Sequence, residues 1–167
     1  MSFLNNFVVK GLMKAYGLDM ASCVLMIMSS ILEKEAKNRN IEPDNIRLKL
    51  KSNKQEEVTG SIYNHKEKVC DLPKEALNDL VNKSEFKIAG ITLPEIQIGD
   101  AVFMIIHEII EKQAVENKCE IEEISATILN SLVKDKAMII IRKEGSQAYV
   151  LDPKLLNKYL NINDLLK

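Results

Sequence analysis

Residues 46–51 read IRLKLK, and this stretch decides how the chain folds. Its apolar positions alternate strictly with the basic residues Arg47, Lys49 and Lys51. Because successive side chains of a strand point to opposite faces, the pattern predicts a half-buried strand with one basic face. This basic face has two interpretations. It binds phosphates or an acidic partner, or it protects an edge strand from unwanted pairing, which is the more ordinary role of strand lysines.

On the C-terminal side, hydrophobic spacing and turn residues predict a mixture of short strands and helices. The predicted strands are 58–64 as the hairpin partner of 46–51, 86–93 with a bulge at 89–90, and 137–142 paired with 147–151. The predicted helices are 73–82, 101–117, 121–133 and a last one that opens at Pro153. Without a regular strand-helix-strand rhythm, this order favours an α+β fold over a doubly wound one.

On the N-terminal side, two helices are predicted over 3–16 and 19–38, with a cap at Gly17 between them. The second is apolar nearly all round, since Leu25, Met26 and Met28 extend its hydrophobic stripe. Such a helix must be surrounded by protein, either by its own fold or by a partner. These three side chains are therefore candidate contact residues.

The sequence thus predicts an α+β, helix-rich fold. Its N-terminal helical hairpin packs with short antiparallel β-hairpins, and its C-terminal segment runs helix, hairpin, helix. Residues 1–167 are expected to form a single domain, with a weaker division into 1–94 and 95–167 as the alternative.

Composition excludes several function classes. The chain of 167 residues has 23 basic and 24 acidic side chains, so no global field attracts nucleic acid or an anionic membrane. Its longest apolar run, 17–32, is shorter than the roughly 20 residues that cross a bilayer. Three separated cysteines indicate thiols in a reducing, cytoplasmic setting. Six scattered glycines form no phosphate-binding loop, and no cofactor is predicted.

One short motif resembles a metal site. His107 to Glu111 reads HEIIE, and a histidine and a carboxylate one helical turn apart can both contact a metal ion. A third ligand must come from elsewhere, and His65, the only other histidine, lies in a predicted loop flanked by Lys66 and Lys68. The alternative is that HEIIE is the solvated face of an amphipathic helix, with Glu108 and Lys112 as a surface pair.

The C-terminal stretch IEEISATILNSLVKDKAMIIIRKEGSQAYVLD loosely resembles the end of a winged-helix DNA-binding domain, in which a recognition helix runs into a two-stranded wing. The resemblance implies that Thr127, Asn130 and Ser131 face the major groove. It also implies that Arg142 and Lys143 reach the DNA backbone from the wing.

Without concentrated chemistry, the sequence favours a non-catalytic interaction or regulatory protein, such as an adaptor, inhibitor or subunit, that acts through an apolar helical surface. A DNA-binding regulator and a metal-dependent hydrolase are the alternatives. Residues 34–54 hold seven basic against three acidic side chains, and residues 95–123 hold eight acidic against two basic ones. Complementary surfaces of this kind would orient a homo-oligomer. The candidate interaction residues are Leu25, Met26, Met28, Arg47, Lys49 and Lys51.

Overall fold

The IRLKLK stretch forms a strand, as predicted, at the centre of the fold. The computed structural model describes residues 20–82, 86–88, 91–93, 99–131 and 136–159. The helices in these ranges are α1 (Met20–Arg39), α2 (Lys74–Asn82), α3 (Gly99–Glu116) and α4 (Pro153–Tyr159), and a 3₁₀ turn spans Ile121–Glu123. The strands are β1 (Ile46–Lys51), β2 (Thr59–Asn64), β3 (Glu67–Leu72), β4 (Phe86–Ile88), β5 (Ile91–Leu93), β6 (Ile124–Ser131), β7 (Lys136–Lys143) and β8 (Tyr149–Val150).

Six of these strands form one antiparallel sheet in the order β3-β2-β1-β6-β7-β8. Strand β1 pairs with β2 on one side, where Leu48 lies opposite Ile62, and with β6 on the other, where Leu48 lies opposite Ile128. The interpretation of its lysines as protection for an edge strand is therefore wrong. The pairing of β1 with β6 also joins residues from both sides of the predicted 94/95 division.

The sheet buries one face against the helices. Along β1 the buried apolar side chains alternate with half-exposed basic ones. Helices α1 and α3 contact β1 and β6, and α2 contacts β2 and β3. The largest fully buried side chains join the two layers: Ile31, Leu32, Ile46, Leu50, Ile62, Leu77 and Ile109. We call the face turned away from these helices the outer face.

The predicted helix over 121–133 is wrong. Its first three residues form the 3₁₀ turn, and 124–131 form β6, which pairs along its full length with β7. Both periodicities fit this sequence, because Ile124 and Ile128 are four residues apart and also alternate with polar positions. Pairing with strands on both sides decides between the two, and β-branched Ile and Thr suit a strand.

The predicted architecture, a helix-rich fold with separate short β-hairpins, is also wrong. One continuous six-stranded sheet organises the fold. The C-terminal segment is strand, strand, short strand and helix rather than helix, hairpin, helix. Residues 3–16 lie outside the described ranges, so nothing supports the N-terminal helical hairpin. Residues 86–88 and 91–93 form two paired strands, whereas one bulged strand was predicted over 86–93. Strand β3 was missed because EKVCDL alternates weakly.

Other predicted elements are confirmed. Strand β2, helices α2 and α3, and the opening of α4 at Pro153 lie within two residues of their predicted ranges. The turn between β7 and β8 contains Gly145 with φ of 75°, as expected for a left-handed turn residue.

Helix α1 is covered by its own fold along the side that was proposed as a contact surface. Leu25 and Met28 are buried, and Met26 is half-buried. The side chains of Leu25 and Met28 are therefore not available to a partner. Among the residues that the structure describes, no helix combines the length and apolarity needed to cross a bilayer.

Candidate binding face

The outer face of the sheet carries a shallow groove of about 360 Å³. Its lining comes from four adjacent strands: Arg47 and Lys49 of β1, Tyr63 of β2, Thr127 and Leu129 of β6, and Ile140 and Arg142 of β7. The register explains this meeting, because Lys49 lies opposite Thr127, which in turn lies opposite Ile140. The groove is thus a product of strand order, which the sequence alone does not specify.

The cations of this face are held in different ways. Arg47 Nη1 donates to the carbonyl oxygens of Asp44 at 2.7 Å and Ile46 at 3.1 Å, which fixes its guanidinium near the start of β1. Lys51 Nζ lies 3.5 Å from Glu144 Oε1, and both side chains are largely exposed. An exposed pair of this kind contributes little. Within the described ranges, Lys49 and Arg142 form no ion pair.

Asp71 is a carboxylate on the same face, opposite Ser61. Lys68 Nζ lies 2.8 Å from Asp71 Oδ1, and Ser61 Oγ donates to the same oxygen at 3.0 Å. The hydrogen bond from Lys68 is the main reason why the pKa of Asp71 is lowered, and the Ser61 bond adds to it. Asp71 is therefore already compensated by its neighbours, and Lys49 and Arg142 stay unneutralised.

The turn between β2 and β3 closes one end of the groove. His65 adopts a left-handed backbone conformation with φ of 56°, and its N–H donates to the Asn45 carbonyl oxygen at 2.7 Å. This bond ties the turn to the loop before β1. It places His65 and Lys66 beside the groove, where the ammonium group of Lys66 adds positive charge.

A strip of apolar side chains lies beside the cations. Leu129 and Ile140 are half-exposed. Val150 of β8 lies opposite Ile140 and is 56% exposed. Val150 is among the few large hydrophobic side chains exposed in the described ranges. A partner that fills this face must therefore offer both negative charge and apolar surface.

The candidate metal ligands lie elsewhere, on the helix-covered side of the sheet. His107 is buried, with 8% exposure, so the interpretation of HEIIE as a solvated face is wrong for this residue. Its Nδ1 lies 2.7 Å from Ser52 Oγ, and its Nε2 lies 3.8 Å from Glu111 Oε2. His65 does not join them, since it lines the groove on the outer face. No set of three metal-binding side chains occurs among the residues described.

The residues implied by the winged-helix resemblance are not brought together as a reading surface. Thr127 lies on the outer face, whereas Asn130 accepts a hydrogen bond from Ser29 of α1 at 3.0 Å. The side chain of Ser131 is outside the described set. Since 121–131 forms a 3₁₀ turn and strand β6 in place of a recognition helix, the resemblance fails, although Arg142 is exposed on the outer face.

The structure describes the side chains of two of the three cysteines. Cys70 and Cys119 are free and half-buried. Burial is the first cause of the raised pKa of Cys119, which keeps its thiol protonated. The side chain of Cys23 is not described.

Comparison with protein-family models, curated proteins and solved structures finds no match to this chain.

Sequence reasoning identified Arg47, Lys49 and Lys51 from their alternation. It missed Tyr63, because the register of β2 was not known, and it assigned Arg142 to a wing. It also missed Ser52, whose partner His107 is 55 residues away.

Proposed function

We propose that this chain is a non-catalytic binding protein that docks an acidic, partly apolar protein segment on the outer face of its sheet. The carrying observation is that a central strand presents Arg47, Lys49 and Lys51 on a face that no described helix covers. The stability of the sheet requires this face to be polar but does not require it to be cationic. An acidic partner gives these charges a role, and it gains orientation from them.

Three features favour protein over nucleic acid as the partner. Leu129, Ile140 and Val150 offer apolar contact area, which a phosphate backbone does not use. Among the described residues, Tyr63 is the one aromatic side chain that lines the groove, and single strands are held by base stacking on several aromatic rings. The chain as a whole is also nearly neutral. Free, half-buried thiols are consistent with action in the cytoplasm, which belongs to the same proposal.

The test is a titration of the full chain with a fluorescent synthetic helix that carries glutamate and leucine on one side. The matched probe replaces each glutamate by glutamine. Binding of the acidic helix is expected to weaken as salt rises, and Lys49→Glu is expected to weaken it about tenfold, or 1.4 kcal/mol. Lys37→Glu, an exposed change on α1 with the same net charge, is the control.

Three results would overturn the proposal. The first is equal binding of the glutamate and glutamine helices, and the second is equal affinity of the Lys49→Glu and Lys37→Glu variants. The third is tighter, steeply salt-dependent binding of mixed-sequence duplex DNA, which would assign the face to nucleic acid instead.

A further inference from the structure

Helix α3 presents an acidic and apolar stripe on the side opposite the core. Its buried side chains include Ile105, Ile106, Ile109 and Ile110, which face the sheet. The stripe consists of Met104, Glu108, Glu111 and Val115. These residues are spaced by four, three and four positions and therefore share one side of the helix. Met104 is 60% exposed and Val115 71% exposed.

This stripe has the chemistry that the outer face requires. Two apolar side chains flank two carboxylates, and the outer face places the apolar strip of Leu129, Ile140 and Val150 beside its cations. Glu108 is 3.6 Å from Lys112, and Glu111 faces only the His107 ring at 3.8 Å among the described residues. Glu111 is therefore the carboxylate that is most open to a new cationic partner.

The length of the stripe on α3 also matches the breadth of the groove. The stripe covers eleven residue steps, which span roughly 17 Å at 1.5 Å per residue. The groove crosses the four strands β2, β1, β6 and β7, which are spaced about 4.8 Å apart, so its breadth is roughly 15–19 Å. A helix laid across these strands can match both carboxylates to cations of the outer face.

We infer that the occupant of the outer face is the Met104–Val115 stripe of a second copy of this chain. This inference rests on the proposed function and names its partner. The stripe and the outer face lie on opposite sides of one sheet, so they cannot meet within a molecule. The contact is heterologous: each copy offers its outer face to one neighbour and its stripe to another, which gives a ring or an open chain of subunits.

The test is sedimentation of the full chain over a range of concentrations, at about 50 mM and about 500 mM salt. The wild type is expected to associate at low salt and to dissociate at high salt, because surface charge contacts are screened. Lys49→Glu disables the outer face, and Glu111→Lys disables the stripe. Each variant alone is expected to be monomeric, whereas Lys37→Glu associates like the wild type.

Mixing the two disabled variants gives the decisive result. The intact outer face of Glu111→Lys meets the intact stripe of Lys49→Glu, so one contact forms and no further subunit can add. An equimolar mixture is expected to give a heterodimer and nothing larger. Circular dichroism of each variant checks that the fold is retained, since both substituted side chains lie outside the core.

A wild type that stays monomeric at low salt would overturn this inference, and so would association that Glu111→Lys leaves unchanged, or a mixture that stays monomeric. If the acidic synthetic helix still binds and Lys49→Glu weakens that binding, the proposed function stands and only its partner is wrong. If neither association nor helix binding occurs, both are overturned.

Discussion

Substitution of Ser52 by alanine tests how the sheet holds helix α3. Ser52 follows β1 and is 5% exposed, and His107 on α3 is 8% exposed. Their side chains are 2.7 Å apart at Ser52 Oγ and His107 Nδ1. Among the described residues, no buried side-chain nitrogen or oxygen lacks a hydrogen-bond partner. Ser52→Ala would create such an atom at His107.

The expected loss follows from that unsatisfied nitrogen. Leaving a buried polar group without its partner costs about 1–3 kcal/mol, more than the roughly 1 kcal/mol net value of an ordinary hydrogen bond. In a chain of this length each kcal/mol lowers Tm by roughly 2–4 °C. A loss of about 2 kcal/mol therefore corresponds to a Tm decrease of roughly 4–8 °C, with the slope of urea unfolding unchanged.

A second substitution separates this cause from simple loss of packing. His107→Leu removes the polar ring and suits its apolar neighbours Val58 and Phe103. The double variant Ser52→Ala/His107→Leu has no unsatisfied nitrogen, so it should be more stable than Ser52→Ala alone. Ser30→Ala is the control: its hydroxyl donates to Met26 O within α1, and its removal should change stability by less than about 0.5 kcal/mol.

Urea unfolding of the four variants measures these differences in free energy. Two results would refute the reasoning: a Ser52→Ala loss no greater than that of Ser30→Ala, or a double variant whose loss equals the sum of the two single losses. Either would show that His107 finds another partner or water when Ser52 is removed.

Three further predictions concern local backbone and surface chemistry. Lys118 lies in the turn just after α3 with φ of 54°, where glycine is favoured. Lys118→Gly should therefore raise the urea midpoint by an amount equivalent to about 0.5–1 kcal/mol, and a lower midpoint would contradict this. A Cβ on Gly60 would lie 3.3 Å from Leu50 Cδ2. Gly60→Val should therefore lower the unfolding free energy by about 1–3 kcal/mol. An unchanged value would contradict this and would mean that the neighbouring leucines shift to make room. The hydrogen bond from Lys54 lowers the pKa of Glu120 below 4.5, so its contribution is present above pH 4.5 and is lost as pH falls through the lowered pKa. Glu120→Gln should therefore be less stable than the wild type at pH 7 and equal to it near pH 2, and a difference that grows toward low pH would refute the assignment.

Patterns within one element predicted several of the helices and strands correctly, but not the architecture. The alternation in 46–51 specified β1 and the side of the sheet on which Arg47, Lys49 and Lys51 lie. The segment 124–131 shows where this method stops. Its spacing suits a helix and a strand equally, and pairing with β1 and β7 decides the outcome. Those partners are remote in sequence, so the local pattern does not contain the deciding interaction.

The prediction that His107 lies on a solvated helix face was wrong for a similar reason. Along α3 it lies at the margin of the isoleucine stripe, where a bare amphipathic helix would expose it. The loop after β1 extends over that margin, and Val58 and Ser52 in this loop are buried. Neither interpretation of HEIIE, as metal ligands or as a solvated face, included a buried histidine that needs a hydrogen-bond partner. What supplies that partner is a tertiary contact, which the helix pattern cannot show.

The central position of β1 in the sheet changes the interpretation of its basic side chains. On an edge strand, lysines prevent unwanted pairing, but β1 is paired on both sides and needs no such protection. Side chains two positions apart on one face are separated by roughly 6.8 Å, so each neighbouring pair of cations repels by about 0.6 kcal/mol in water. A neutral polar side chain would avoid this repulsion and keep the face soluble. In the proposed complex, carboxylates of the partner would replace this repulsion by attraction, so the charges that weaken the isolated sheet would strengthen the complex.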